Sequence, residues 1–309
     1  MKHRSTRLII ITLFIITIVA GCTTPATQPS PTQVPPTQQP ATQASPDVKA
    51  NSDVVLNMVE RMNAGDAEGS LAFFADNARV YMMGFPPTGI EIYTGKDQIR
   101  LLWEDSVANH FEWDVEIGST YGDIVNVKAK TWHDFTRQLG VAPLEYTDVY
   151  EIKYGKIVTY GSWLTQESLA RFRPALAEVM PPEPTALPSS DPPVSEITVT
   201  ISGGRCNTDN SITLRAGEVT VNFNVEDQDK STYALTLFNL AEGKDFLDLM
   251  AETVTVQPSW AHDVLYRELG PGKSETYTFT IEKGPVYLVC WSKPPDIPIG
   301  NAGPFTVAP

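Results

Sequence analysis

The sequence predicts a multidomain fold in which an α+β segment precedes an all-β sandwich. Three observations support this prediction. The chain has 309 residues, about twice the length of an average domain. Helical periodicity followed by alternating strands fills residues 48–180, whereas only short alternating strands occur over 194–309. Six prolines between Pro181 and Pro193 mark a linker between the two segments, which we place at 181–193.

The first segment begins with helical patterns. Valines and methionines recur at three- and four-residue spacing from Val54 to Met62, behind a cap at Ser52, and predict the first helix. Shorter patterns predict helices over 67–74 and 95–110. Alternation predicts strands over 78–83, 111–117 and 125–131, and a hairpin formed by 146–154 and 157–163. Helices followed by an antiparallel sheet predict helices packed on one face of that sheet.

The second segment alternates throughout and predicts seven or eight short strands packed as a sandwich, with one short helix over 245–251. Its clearest predicted strands have apolar residues at every second position. They are Ile197 to Ile201, Val219 to Val225, Tyr233 to Leu237, Tyr277 to Ile281 and Val286 to Cys290.

The amino-terminal sequence predicts the cellular location of the protein. A basic start precedes the apolar run Leu8–Ala20, which is too short for a membrane span and typical of a signal peptide. The run ends in Val19-Ala20-Gly21-Cys22, which resembles the lipobox of bacterial lipoproteins. The resemblance implies that residues 1–21 are removed and that Cys22 carries a diacylglycerol and palmitate. Membrane lipid is then a partner, and the protein is anchored on the extracytoplasmic side, at the cell membrane or the outer surface.

Residues 22–47 are rich in Pro, Thr and Gln and carry no charge before Asp47, so they predict a disordered tether. The formal net charge of the chain is −14 and its isoelectric point is near 4.7. A phosphate backbone is repelled by such a charge, which excludes nucleic acid as a partner.

Four blocks in the first segment suggest a family. They are Asn63-Ala64-Gly65-Asp66-Ala67, Leu71-Ala72-Phe73-Phe74-Ala75-Asp76-Asn77-Ala78, Tyr93-Thr94-Gly95-Lys96-Asp97-Gln98-Ile99 and Tyr150-Glu151-Ile152-Lys153-Tyr154-Gly155-Lys156-Ile157-Val158. In their order and spacing they resemble the NTF2-like superfamily, in its SnoaL-like branch. The resemblance covers residues 50–172 and implies a cone-shaped α+β fold whose mouth holds a hydrophobic pocket. Family members include isomerases, cyclases, hydrolases and proteins without known chemistry, so the fold alone assigns no activity.

Alternation along two neighbouring strands predicts what lines this pocket. It places His133, Tyr146, Asp148 and Tyr150 on the inward face. Burial raises the pKa of a carboxyl group and lowers that of an imidazole, which suits both groups to proton transfer. The structural alternative stays open, in which Asp148 and His133 only satisfy each other or a backbone group. The predicted aromatic lining consists of Tyr146, Tyr150, Phe135, Trp163 and Trp113.

Three blocks of the second segment, 212–219, 269–274 and 284–290, resemble the cupredoxin-like fold. A type 1 copper site needs two imidazoles and a thiolate, with one His shortly after the Cys. No histidine follows Cys290, so copper electron transfer is disfavoured and we predict neither a metal nor a cofactor. With Cys22 acylated, Cys206 and Cys290 are an even pair in an oxidising compartment, which predicts a disulfide between them.

Two functions remain open. The favoured hypothesis is a lipid-anchored protein that binds a small apolar molecule or an envelope protein in the NTF2-like pocket, without chemistry. The alternative is an isomerase, cyclase or hydrolase that uses Asp148 and His133 as acid and base. Binding is favoured because the sequence contains no HExxH, GxSxG or P-loop motif.

Overall fold

The structure is a computed structural model, and it describes residues 46–83, 89–180, 192–209, 212–230, 232–252, 258–281 and 284–308. The predicted signal peptide, Cys22, nearly the whole tether and most of the proline-rich linker lie outside these residues. No helix within the described ranges is both long enough and apolar enough to cross a membrane.

The first part of the described chain is an α+β structure. Its elements are α1 (Pro46–Asn63), α2 (Ala67–Leu71), β1 (Phe74–Met83), β2 (Ile90–Thr94), α3 (Gly95–Ala108), β3 (Glu112–Tyr121), β4 (Ile124–Trp132), α4 (Asp134–Gln138), β5 (Leu144–Lys153), β6 (Lys156–Leu164) and α5 (Gln166–Val179). The six strands form one sheet in the order β2-β1-β6-β5-β4-β3. All neighbours are antiparallel except β1 and β6.

The helices cover one face of this sheet, as the sequence predicts. Met58 and Met62 of α1 and Trp103 of α3 share a buried cluster with Val127 of β4 and Tyr160 of β6. Asp66 fixes the start of α2, because its carboxylate accepts a hydrogen bond from the amide of Gly69 at 2.8 Å. The buried apolar face of the helices therefore closes over the inward residues of the sheet.

The second part is an all-β structure with two sheets and one short helix. Its elements are β7 (Glu196–Ser202), β8 (Arg205–Asn207), β9 (Thr213–Arg215), β10 (Gly217–Val225), β11 (Thr232–Leu240), α6 (Phe246–Ala251), β12 (Ala261–Leu269), β13 (Ser274–Ile281), β14 (Val286–Lys293) and β15 (Ile297–Ala308). One sheet has the order β13-β10-β7-β8 and the other has the order β12-β11-β14-β15-β9. The described residues of this part contain nine strands, more than the seven or eight predicted. The difference comes from β8 and β9, which have only three residues each and are too short to show an alternating pattern in the sequence.

The predicted disulfide is confirmed. Cys206 on β8 and Cys290 on β14 are bonded, and their Cα atoms are 5.8 Å apart. Because β8 and β14 belong to different sheets, the disulfide links the two layers of the sandwich covalently.

The two parts pack against each other through a shared core. Alternation turns Tyr81, Val149 and Trp163 to the face of the first sheet opposite the helices, and these residues join the buried cluster of the sandwich. Ion pairs border the contact, namely Arg79 with Asp229, Lys230 with Glu151, and Arg173 with Asp245. The sequence patterns did not predict this contact, since they located only a linker between two separate segments.

Candidate ligand-binding cavity

A cavity of about 430 Å³ lies between the helices and the inward face of the first sheet. This volume falls in the range typical of small-molecule sites. The side chains that line it come from eight helices and strands and from the residues between them. They are Met82, Glu91, Tyr93, Leu102, Asp105, Ser106, Phe111, Trp113, Thr131, His133, Thr136, Tyr146, Tyr160 and Ser162.

Aromatic side chains dominate the wall of the cavity. Five of the lining residues are aromatic, and three of them pack on one another. The ring of Trp113 lies edge-on to Phe111 at 5.5 Å and contacts Tyr160 at 5.9 Å between ring centroids. Tyr160 in turn stacks on Tyr150, with parallel rings 4.5 Å apart. These contacts fix the rings in place, so the cavity is held open by a rigid wall.

Asp148 lies beneath this wall and is completely buried. Its Oδ2 accepts a 3.4 Å hydrogen bond from the hydroxyl of Tyr150, whereas its Oδ1 has no hydrogen-bond partner among the described residues. Burial raises the pKa of Asp148 to about 7, although the nearby polar groups of Ser162, Tyr150, Tyr160 and Trp113 counteract the increase. Asp148 does not line the cavity, but Ser162, Tyr160 and Trp113 lie beside it and also reach the cavity wall.

His133 lines the cavity, and it also caps a helix. Its Nδ1 accepts a 3.2 Å hydrogen bond from the amide of Phe135, and its own amide donates to Oγ1 of Thr136 at 3.1 Å, which starts α4. Because Nδ1 is an acceptor, the proton of the neutral ring is on Nε2. Burial lowers the pKa of His133, while the charge of Asp105 acts in the opposite direction. The neutral imidazole is therefore favoured.

The structure brings together only some of the predicted site residues. Tyr146, Trp113 and His133 line the cavity, whereas Asp148 and Tyr150 lie behind it. The predicted inward face of β4 reaches His133, which follows the last residue of β4, has an extended backbone and lines the cavity with Thr131. No hydrogen bond joins His133 to Asp148 among the described residues, so the two do not form a pair.

Two predicted aromatic residues lie elsewhere. Phe135 is on α4 and packs against the cluster of Leu144 and Phe172. Trp163 is on the opposite face of the sheet and packs into the sandwich core. The two residues leave the cavity for different reasons. At Phe135 a helix replaces the predicted end of a strand. Trp163 lies on a predicted strand, but alternation along β6 turns its side chain to the face opposite Tyr160 and Ser162.

Sequence patterns missed the acidic part of the cavity. Glu91 and Tyr93 are on β2, and Asp105 is on α3. The hydroxyl of Tyr93 donates to Oε2 of Glu91 at 2.6 Å. The pKa of Tyr93 is raised, first by burial and then by the hydrogen bond to Glu91 and the negative charges of Glu91 and Asp105. Both carboxylates therefore lie close to the ring of Tyr93. The alternation Ile90-Glu91-Ile92-Tyr93 was the available signal for β2.

Metal ligands are not grouped in the part of the chain that the structure describes. There, no three His, Cys, Asp or Glu side chains are close enough to hold a metal ion. The thiol of Cys290, which a cupredoxin-like copper site would need, is bonded to Cys206.

Comparison with known proteins gives a family match in the first part. Residues 55–160, about a third of the chain, match the family model of the SnoaL-like domain. The match covers the residues that build most of the cavity and does not extend into the sandwich. A search of the curated proteins found no match to this sequence.

Several solved structures resemble part of the chain. A protein from Jannaschia sp. CCS1 described as a SnoaL-like polyketide cyclase is 16% identical, with 41% of this chain and 94% of that chain covered and a TM-score of 0.34. An NTF2-like protein of unknown function from Mesorhizobium loti is 11% identical, with coverages of 40% and 97% and a TM-score of 0.34. A protein from Kribbella flavida described as a ketosteroid isomerase is 13% identical, with coverages of 39% and 81% and a TM-score of 0.33.

Proposed function

We propose that this protein binds a small apolar or aromatic molecule in the cavity of its SnoaL-like domain. The observation that supports the proposal is the cavity itself, which has about 430 Å³ of space and five aromatic side chains in its wall. Apolar pockets with a few polar groups are the usual form of small-molecule sites. The two groups best suited to acid–base chemistry argue for binding over catalysis, because Nδ1 of His133 is used in a helix cap and Asp148 does not line the cavity.

A calorimetric titration with 2-naphthol tests this function. We expect binding to the wild type and a loss of about tenfold in affinity in Tyr146→Ala, because this change removes a large aromatic surface from the wall. The matched control is Tyr121→Ala, which truncates a tyrosine on the solvent-exposed end of β3. Equal affinities in the two variants, or no binding to the wild type, would contradict the proposal.

One observation favours a second candidate function, proton transfer at a bound molecule. Asp148 titrates near neutral pH, and Tyr160 and Ser162 connect it to the cavity. An isomerase, cyclase or hydrolase could use it as acid or base through these hydroxyl groups. Turnover of a carbonyl or epoxide substrate by the wild type, lost in Asp148→Asn while 2-naphthol still binds, would support the enzyme in place of the binding protein.

We further propose that Cys22 anchors the protein to the extracytoplasmic membrane surface. The support is the sequence around Cys22, which resembles a lipobox and follows a basic and apolar start. We expect Cys22→Ser to move the protein from the membrane fraction to soluble extracytoplasmic material, measured by fractionation and immunoblotting. Retention of Cys22→Ser in the membrane fraction would contradict the anchor. Ala26→Ser, a similar change in the tether, serves as the control that stays membrane-bound.

The sandwich, in this proposal, is a cupredoxin-like module with a structural or interaction role. Its two mixed sheets, with β7 parallel to β10 and β9 parallel to β15, support the cupredoxin-like assignment. Copper electron transfer is disfavoured because no histidine follows Cys290 and its sulfur is in a disulfide.

A further inference from the structure

We infer that the cavity selects a small organic cation, an apolar body that carries an ammonium group. This inference rests on the proposed function, since it specifies the ligand of the same cavity. It depends on three features of the wall: its aromatic rings, its two carboxylates and the absence of lysine and arginine from its described lining residues.

The aromatic rings form the first feature. Tyr93, Phe111, Trp113, Tyr146 and Tyr160 line one cavity. The face of an aromatic ring is electronegative and attracts a cation, most strongly for Trp and Tyr and more strongly when the cation is withdrawn from water. Four of the five rings are Trp or Tyr, so the wall suits an alkylammonium group better than a purely hydrophobic wall of aliphatic residues would.

The carboxylates form the second feature. Glu91 on β2 and Asp105 on α3 both line the cavity, and both lie close enough to Tyr93 to raise the pKa of its hydroxyl. They come from different elements, so the fold places two negative charges on the wall beside the same ring. Charges at such a site attract a ligand of opposite sign and repel an anionic one.

The third feature is that nothing in the wall compensates these charges. No lysine or arginine is among the described residues that line the cavity. His133 is the one basic group there, and burial lowers its pKa, which keeps the imidazole neutral. Asp148, behind Tyr160 and Ser162, adds a further negative charge when it is ionised. Glu91 and Asp105 are both exposed to solvent, so they make the mouth of the cavity negative, and no lysine or arginine among the described lining residues offsets their charge.

A pair of probes that differ in one atom tests the inference. Benzyltrimethylammonium and neopentylbenzene have the same shape, but nitrogen in the first is replaced by carbon in the second. Calorimetric titration at low salt should show the ammonium probe binding about tenfold more tightly or better, as expected for cation–π and carboxylate attraction in a partly desolvated site. The anionic probe 4-tert-butylbenzoate should bind most weakly.

Variants then assign the preference to the cavity. Glu91→Gln with Asp105→Asn should weaken the ammonium probe several-fold and leave neopentylbenzene unchanged, since both substitutions keep the size of the side chain. The matched control is Glu104→Gln with Glu116→Gln, which removes the same charge from exposed positions outside the cavity wall. This control should leave the affinity for both probes unchanged.

The outcomes separate the inference from the proposed function. If neopentylbenzene binds as tightly as the ammonium probe, the cation preference is wrong while the binding function stands. Equal losses of ammonium affinity in the cavity variant and the control variant would also overturn the preference, because the effect would then be one of net charge. If neither probe binds, both the preference and the proposed function fail.

Discussion

Asp148 is a buried carboxyl group that lies behind the cavity and affects the stability of the fold. Its carboxyl group is completely buried beneath the aromatic wall, and one of its oxygens has no hydrogen-bond partner among the described residues. The titratable side chains that approach it are Tyr146 and Tyr150 on its own strand and Tyr160 on β6, and none of them supplies a positive charge. The folded protein therefore holds the proton of Asp148 to a higher pH than the unfolded chain does.

This difference predicts a pH-dependent effect of Asp148→Asn. The pKa of Asp148 is about 7 in the folded state and about 3.9 in an unfolded chain. Between these values the folded state binds more protons, so the contribution of Asp148 to the free energy of unfolding falls as pH rises from about 4 to about 7 and stays low above it. The variant lacks this ionisation cost. We expect it to be more stable than the wild type at pH 8, by up to about 4 kcal/mol.

Urea denaturation at about pH 5 and pH 8 measures this effect. The stabilisation by Asp148→Asn should be large at pH 8 and shrink toward pH 5, where the native carboxyl is already neutral. Tyr121→Ala, on the exposed end of β3, changes no carboxyl group and serves as the control. A destabilisation by Asp148→Asn that is equal at both pH values would indicate that the ionised form makes favourable contacts, contrary to the burial argument.

Residue-scale prediction from sequence succeeded where the secondary structure was regular. Alternation along β4 and β5 correctly placed Val127, Ala129 and Thr131 inward and put Tyr146 in the cavity wall. It could not tell that Asp148 lies behind the wall, because strand periodicity assigns a face and carries no information on depth. Depth is set by the rings of Trp113 and Tyr160, which come from other strands.

At the scale of elements, the errors come from short helices and short strands. The segment His133-Asp134-Phe135-Thr136 continued the pattern of β4, but the reciprocal hydrogen bonds between His133 and Thr136 start a helix there. Histidine is not among the usual capping residues, so the sequence carried no clear signal for this start. Phe135 consequently points into the cluster of α5 and leaves the cavity.

Other elements had signals that were overlooked. Leu169, Phe172 and Leu176 recur at helical spacing, and Thr165 accepts a hydrogen bond from the amide of Ser168 at the start of α5. Pro174 within this run obscured the pattern, because proline usually ends a helix. The long helices α1 and α3 and the β5–β6 hairpin were predicted, since strong periodicity and a tight turn at Tyr154-Gly155 define them. The predicted cap at Ser52 is wrong, because α1 begins at Pro46 and Ser52 lies inside it.

At the scale of the whole molecule, the two parts are joined by a contact that includes buried charge. Glu151 on β5 is almost fully buried and accepts hydrogen bonds from Lys230 of the second part and from Thr159, the latter at 2.8 Å. Lys153 pairs with its other oxygen at 2.8 Å. Burial alone would raise the pKa of Glu151, but the hydrogen bonds and charges of Lys153 and Lys230 outweigh it and lower the pKa. Glu151 is therefore kept ionised by Lys153 on its own strand and by Lys230 from across the contact.

No periodicity in either segment could have predicted this contact, because it depends on how two folded surfaces fit. Tyr81, Val149 and Trp163 looked like ordinary members of a sheet, and only the folded chain shows that the sandwich covers them. The polar pairs around them then fix the orientation of the parts, as hydrogen-bonded charges commonly do at an interface.

The contact predicts that Lys230→Met destabilises the protein strongly. The side chain of Lys230 is 9% exposed and that of Glu151 is 4% exposed, so removal of the ammonium group leaves a buried carboxylate with one cationic partner fewer. Breaking a buried pair in this way typically costs about 3–5 kcal/mol. Because Lys153 and Thr159 still contact Glu151, we expect a loss near the lower end, about 3 kcal/mol, measured by urea denaturation at neutral pH.

Two further variants decide whether this loss comes from the buried charge. Lys49→Met removes the same kind of group from an exposed pair with Asp53 on α1, and it should cost less than about 0.5 kcal/mol. Adding Glu151→Met to Lys230→Met removes the unpaired carboxylate, so the double variant should be more stable than the sum of the two single losses implies. If Lys230→Met costs no more than Lys49→Met, or if the two losses at the contact simply add, the pair does not couple the two parts. The apolar cluster around Trp163 and the other ion pairs at the contact then hold them together.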